Sequence, residues 1–173
     1  VFDGADAVML STETAAGDYP VEAVAMMDRI IRRVEDDGHY QVTRGFDRRG
    51  DSGSDADAIT AAARTVADAV RAAAIVTFTT TGSTTLRTSR ARPEAPILAL
   101  TPELTTARQL VLAWGVHPVH TADVTGFAEM VEKATFIAKS EGFANPGQRL
   151  VVTAGLPFGT PGATNVLRII WVN

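Results

Sequence analysis

The 173-residue sequence contains no cysteine, two tryptophans, two tyrosines and three histidines. Without cysteine the chain has no disulfide, no thiolate nucleophile and no Cys-ligated zinc. No apolar run reaches the roughly 18 residues that a membrane-spanning helix needs. A net charge of −4, from 16 basic and 20 acidic residues, argues against a general nucleic-acid binder. We therefore expect a protein of the reducing cytoplasm that binds neither nucleic acid nor membrane.

The composition is that of a folded protein, with 46% hydrophobic and 21% charged residues. At about 150 residues per domain, the length corresponds to one domain with little left over. The sequence begins at Val1, without an initiator methionine or the pattern of a signal peptide. We expect a piece of a longer protein.

The first part of the sequence predicts one strand and one helix. Residues 7–10 form a short apolar run that is typical of a buried strand, and residues 11–20 predict a loop. Apolar residues then recur at helical spacing from Val21 to Val34, after a proline that suits a first helical turn. Residues 38–54 are rich in Arg, Asp and Gly and predict a linker between segments 1–37 and 55–173.

From Asp55 onward helical and strand patterns alternate. Asp57 can cap the first helix, which runs to about Ala73. Further helices are predicted over residues 84–91, 105–114 and 125–141, and strands over residues 75–79, 97–101, 116–120, 149–154 and 165–172. Strands separated by helices form a parallel sheet with helices on both faces, but a Gly/Pro loop alone joins the last two strands. The sequence predicts a three-layer αβα domain with a mostly parallel five-stranded sheet whose last strand is antiparallel.

Two loops follow strands at the edge where open α/β sheets bind ligands. The first offers hydroxyls, a glycine and the amides of a helix N-terminus, all of which suit a phosphate, in Thr79, Thr80, Thr81, Gly82, Ser83 and Thr84. The second, residues 155–165, includes Gly159, Thr160 and Gly162. Alternatively, the first loop only caps its helix and the second only connects two strands. The histidines are not spaced as metal ligands, so no metal site is predicted.

Residues 3–20 read DGADAVMLSTETAAGDYP. This segment closely resembles the pyruvate kinase motif D-G-A-D-x-x-M-L-S-G-E-T-A-x-G-x-Y-P, with Thr12 in place of the usual glycine. The resemblance continues through residues 79–84, the Ser-Arg-Ala-Arg-Pro stretch at 89–93 and the Gly-Ala-Thr-Asn stretch at 162–165. It implies that residues 1–37 are the last βα unit of a (β/α)8 barrel and that residues 55–173 are the C-terminal regulatory domain.

The resemblance also implies a function for the parent protein. Pyruvate kinases transfer phosphate from phosphoenolpyruvate to ADP with Mg²⁺ and commonly K⁺, and they usually form tetramers with C-terminal domains at one interface. The family's catalytic arginines, lysine and metal-binding acids would lie upstream of Val1. Ser11 alone matches a serine near the substrate. We therefore expect a homo-oligomeric fragment that holds no cofactor and is inactive alone.

Residues 79–84 match the loop that binds the phosphate of a sugar-phosphate effector in this family, and residues 159–163 fall in its second effector loop. Phe127 stands where the family often has tryptophan, and Ala134 stands at a basic position, beside Lys133. These departures favour a monophosphate, such as glucose 6-phosphate, ribose 5-phosphate or AMP, over fructose 1,6-bisphosphate. The alternatives are a stand-alone α/β domain that binds a phosphorylated metabolite and a purely structural oligomerisation module.

Overall fold

The computed structural model describes residues 3–37, 53–157, 160 and 162–173. The chain divides into two compact units, Val1–Arg49 and Gly50–Asn173. Apart from Gly53 and Ser54, the predicted linker 38–54 lies outside the described residues.

The described residues of the first unit, 3–37, contain two helices, α1 (Thr12–Ala15) and α2 (Pro20–Glu35). The predicted helix after residue 20 is confirmed. Pro20 supplies a fixed φ in the first turn. Glu22 near the start of the helix and Arg32 near its end interact favourably with the helix dipole. None of the residues of α2 is buried, and Val21 and Ile30 are exposed.

The predicted strand over residues 7–10 is wrong for this structure. These residues have no regular secondary structure, and 85% of Met9 is exposed. A strand needs a hydrogen-bonded neighbour, and residues 3–37 of the described chain contain no other strand to pair with. The predicted loop at 11–20 also differs, because α1 occupies part of it. The resemblance implies that this segment is a βα unit of a barrel. The described residues contain the helix of that unit but not its strand.

The second unit is built on one five-stranded sheet. Its strands are β1 (Ala74–Phe78), β2 (Ile97–Thr101), β3 (Val116–His120), β4 (Arg149–Gly155) and β5 (Thr164–Trp171). Their order is β3-β2-β1-β4-β5, with parallel pairing throughout except for the antiparallel pair β4–β5. The predicted fold class is confirmed for this unit.

In the part of this unit that the structure describes, four helices accompany the sheet: α3 (Asp55–Val70), α4 (Ser83–Arg90), α5 (Leu104–Leu110) and α6 (Phe127–Ser140). Alternate residues of β1 face opposite layers, as the strand period requires. Val76 belongs to the larger apolar core with Met130 of α6, whereas Ile75 belongs to a smaller core with Ala63 of α3. The sheet is thus covered on both faces.

The first helix of this unit begins earlier than predicted. Ser54, not Asp57, is its N-cap: the Ser54 hydroxyl accepts from the Asp57 amide at 3.3 Å and donates to the Asp57 carboxylate at 2.5 Å. Both residue types cap helices, so composition alone does not choose between them. The helix ends at Val70 because Arg71 takes a left-handed conformation, with φ +50°. Among the described helices, none has the length and apolar character needed to cross a membrane.

Candidate functional site

The strand order of the sheet reverses at β1. The chain runs from β1 to β2 and β3 on one side, and then returns to place β4 on the other. In open α/β sheets such a reversal opens a crevice at the carboxyl ends of the two diverging strands, where ligands bind. A pocket lies at this point, lined by Phe78, Thr79, Thr80, Thr81, Ser83, Thr84, Asp123, Val124, Ala154, Gly155, Thr160, Gly162, Ala163 and Thr164.

The loop after β1 presents the N-terminus of α4 to the pocket. Gly82 is the N-cap and has φ +84°, a conformation that glycine adopts without strain. Its amide donates to the Thr79 hydroxyl at 2.9 Å, which fixes the turn. The amides of the first turn have no acceptor within the helix and carry the positive end of its dipole. Gly82 shapes the site but does not line it.

Hydroxyl hydrogen bonds hold this loop against its neighbours. The Thr106 hydroxyl of α5 donates to the Thr80 carbonyl at 2.9 Å, and the Thr81 hydroxyl donates to the Ser83 hydroxyl at 3.3 Å. The buried Thr84 hydroxyl lies 2.5 Å from that of Thr164, the first residue of β5. The Thr84–Thr164 bond joins the two loops that the sequence analysis singled out, and they line the same pocket.

Asn165 closes the loop between β4 and β5. Its side-chain amide donates to the Leu156 carbonyl at 2.7 Å, and its side-chain carbonyl accepts from the Leu156 amide at 2.9 Å. The two ends of the segment are therefore held together by a bidentate contact. Thr160 and Gly162 line the pocket from this segment, whereas the predicted site residue Gly159 lies outside the described residues.

Asp123, which the sequence analysis did not single out, also lines the pocket. It is the one charged side chain among the described residues of the lining. The signal that could have found it is its place just after β3, at the same edge of the sheet as the two loops.

The start of α6 differs from the family pattern in the way the sequence indicates. Ala134 is fully buried in the larger core, so no basic side chain stands there. Phe127 lies under the guanidinium of Arg168, 4.8 Å from the ring centre. The amide and hydroxyl of Thr125 donate to Glu129 and hold the pKa of that carboxyl below its ordinary value.

Lys133 does not line the pocket. Its ammonium donates to the carbonyls of Ala122 and Asp123, at 2.6 and 3.1 Å, and lies 3.5 Å from Glu129. Through these hydrogen bonds the Lys133 side chain anchors the backbone beside the pocket.

Ser11, the remaining predicted site residue, lies in the first unit before α1. Its amide donates to the Glu13 carboxylate at 3.0 Å, and its carbonyl accepts from Thr14. The amides of Glu13 and Ser11 lower the pKa of the Glu13 carboxyl. Within the described ranges no three His, Asp or Glu side chains cluster so that they could hold a metal ion.

Comparison with known proteins matches residues 57–170 to the family model described as pyruvate kinase, alpha/beta domain. The chain belongs to the pyruvate kinase family. It is 48% identical over 172 residues to a pyruvate kinase of Methylorubrum extorquens and 44% identical over 169 residues to one of Agrobacterium vitis, covering 99% and 98% of this chain. A pyruvate kinase of Geobacillus stearothermophilus is 38% identical over 98% of this chain.

The chain spans about a third of the length of these curated relatives: 36% of the first two and 29% of the third. The resemblance carried by the opening motif is thus confirmed. The described second unit contains the family's α/β domain, including both loops of the pocket.

The bidentate contact of Asn165 should protect the Leu156 amide from exchange with solvent. In Asn165→Ala both hydrogen bonds to the Leu156 backbone are lost, including the one from its amide. One such bond contributes about 1 kcal/mol, so we expect amide hydrogen exchange at Leu156 to accelerate about fivefold to tenfold. The exposed Asn145 supplies the matched control, because Asn145→Ala removes the same side chain elsewhere. Equal exchange rates at Leu156 in the two variants would show that the contact does not hold the segment.

Proposed function

We propose that this chain supplies a pyruvate kinase with an effector-binding and subunit-contact domain. The parent enzyme would transfer phosphate from phosphoenolpyruvate to ADP in the cytoplasm, with Mg²⁺ and K⁺ bound outside this chain. The observation that carries the proposal is the pocket at the strand reversal. Hydroxyls and helix N-terminal amides form it, and these groups bind phosphate.

The charge and size of the pocket favour a monophosphate. Neither Lys133 nor Arg168 lines it, so a phosphate would be held by dipoles and hydroxyl groups. The pocket is partly open to solvent and has room for a few water molecules between its described walls, so a phosphate group can enter it. We propose that the phosphate of glucose 6-phosphate, ribose 5-phosphate or AMP enters the pocket while the remainder lies at its mouth. Fructose 1,6-bisphosphate would lack a cation for its second phosphate.

Removal of one loop hydroxyl tests the site. We expect Ser83→Ala to weaken binding of glucose 6-phosphate about tenfold, because a hydrogen bond to a charged group is lost. Thr65→Val removes an exposed hydroxyl on α3 and is the control, with unchanged affinity expected. Isothermal titration calorimetry measures both.

A wild-type chain that gave no heat with any sugar monophosphate or AMP would contradict the proposal. That result would favour the purely structural oligomerisation module.

We also propose that the chain has no pyruvate kinase activity alone. It covers about a third of its relatives, and Ser11 is its one residue that resembles part of the family's catalytic site. We expect no pyruvate or ATP above background from phosphoenolpyruvate and ADP with Mg²⁺ and K⁺, with a complete pyruvate kinase as the positive control. Turnover well above background would refute this.

The proposed subunit contact is the outer side of β5. This strand is at the edge of the sheet, and no described strand pairs with its outer edge. Beside it lies an apolar groove between α6 and the end of β5, with Phe136 71% and Trp171 57% exposed. Edge strands pair readily, and a two-fold axis would place the same strand of a second copy alongside. We propose that homo-oligomers, tetramers in the parent, use this surface.

Sedimentation velocity tests the subunit contact. We expect the wild-type chain to self-associate, and Phe136→Glu to weaken association at least about tenfold by burying a charge in the interface. Leu112→Glu places the same charge at another exposed apolar residue, away from this groove, and should have no effect. A monomeric wild type, or equal association in the two variants, would rule out this surface.

A further inference from the structure

The charges around the pocket are unevenly arranged. The wall from the β1–α4 loop offers hydroxyls and helix amides, whereas the wall from the β3–α6 connection includes Asp123, an exposed residue whose side chain carries a carboxylate. The sequence of residues 156–163, Leu-Pro-Phe-Gly-Thr-Pro-Gly-Ala, contains no charged residue. A ligand in this pocket therefore meets a phosphate-binding wall and an acidic wall.

Asp123 is held in place by its neighbours. One carboxylate oxygen, Oδ1, accepts from the Val124 amide at 2.8 Å, and the Val124 side chain is buried in the larger core. Lys133 donates to the Asp123 carbonyl at 3.1 Å. The other carboxylate oxygen, Oδ2, accepts no hydrogen bond from the residues that the structure describes, so it can accept one from a ligand.

We infer that Asp123 is a specificity-determining residue that selects a phosphorylated sugar with free hydroxyls and rejects a second phosphate. This inference rests on the proposed function of the pocket. A carboxylate accepts strong, charge-assisted hydrogen bonds from hydroxyl groups, so a polyol gains a contact at this wall. A second phosphate would meet a like charge there, and such repulsion is a common device of specificity.

The surroundings of Asp123 do not cancel its charge. The Lys133 ammonium donates to two backbone carbonyls and lies 3.5 Å from the Glu129 carboxylate. Its hydrogen bond to residue 123 goes to the backbone carbonyl, and among the described residues no ion pair joins Lys133 to the Asp123 carboxylate. The acidic wall also distinguishes a sugar monophosphate from an alkyl phosphate, which has no hydroxyl to donate.

The test compares the wild-type chain with Asp123→Asn by titration calorimetry. Asparagine keeps an oxygen for the Val124 amide, and residue 123 is exposed, so the fold is retained. The ligands are glucose 6-phosphate, fructose 1,6-bisphosphate and ethyl phosphate. Asp55→Asn is the control, because it removes the same charge from an exposed position at the start of α3.

The wild type should bind glucose 6-phosphate at least about tenfold more tightly than either other ligand. Asp123→Asn should weaken the binding of glucose 6-phosphate about threefold to tenfold and strengthen the binding of the bisphosphate by a similar factor. The preference for glucose 6-phosphate over the bisphosphate is then lost. In Asp123→Asn the affinity for ethyl phosphate should rise less than the affinity for the bisphosphate, because ethyl phosphate brings no second phosphate to this wall. Asp55→Asn should leave the preference unchanged.

Two results would overturn the inference, and they are distinguishable. If the wild type binds sugar phosphates but Asp123→Asn changes the preference for glucose 6-phosphate less than about twofold, the proposed binding site is retained and Asp123 does not determine its specificity. If the wild type binds none of the three ligands, the proposed function fails, and the assignment of Asp123 fails with it.

Discussion

The reversal of strand order at β1 is the constraint on which the site depends. Because β1 pairs in parallel with both β2 and β4, the connections that leave β1 and β4 diverge, and a crevice remains at the carboxyl ends of these two strands. The N-terminus of α4 follows β1 into that crevice. The Thr84–Thr164 hydrogen bond then fixes the start of β5 against this helix. One topological feature thus brings together residues that are 80 positions apart.

The shortage of positively charged side chains at this crevice restricts the ligands that it can bind. Ala134 is part of the core, and the Lys133 ammonium donates hydrogen bonds to the backbone carbonyls of Ala122 and Asp123. Amides and hydroxyls can hold one phosphate without a cation, but a second phosphate would have no counter-charge and would meet an acid. The proposed effector site therefore favours a hydroxyl-bearing monophosphate.

Much of the fold was predictable because buried strands are short apolar runs between Gly and Pro residues. Strand β2, buried along its whole length between Pro96 and Pro102, begins and ends at the predicted residues. The strand at 7–10 was predicted on the same signal and is absent, because a strand also needs a partner that the pattern does not reveal. The two loops were found from composition, whereas Asp123 was missed, since only the three-dimensional fold brings the end of β3 to the pocket of β1 and β4.

A phosphate held at the N-terminus of α4 would change the surroundings of the amides there, and amide NMR shifts report that change. When the isotopically labelled chain is titrated with glucose 6-phosphate, we expect saturable shifts centred on Gly82, Ser83 and Thr84, with smaller ones at Thr164. Saturable shifts centred on residues away from this pocket, or none at all, would contradict phosphate binding at this helix.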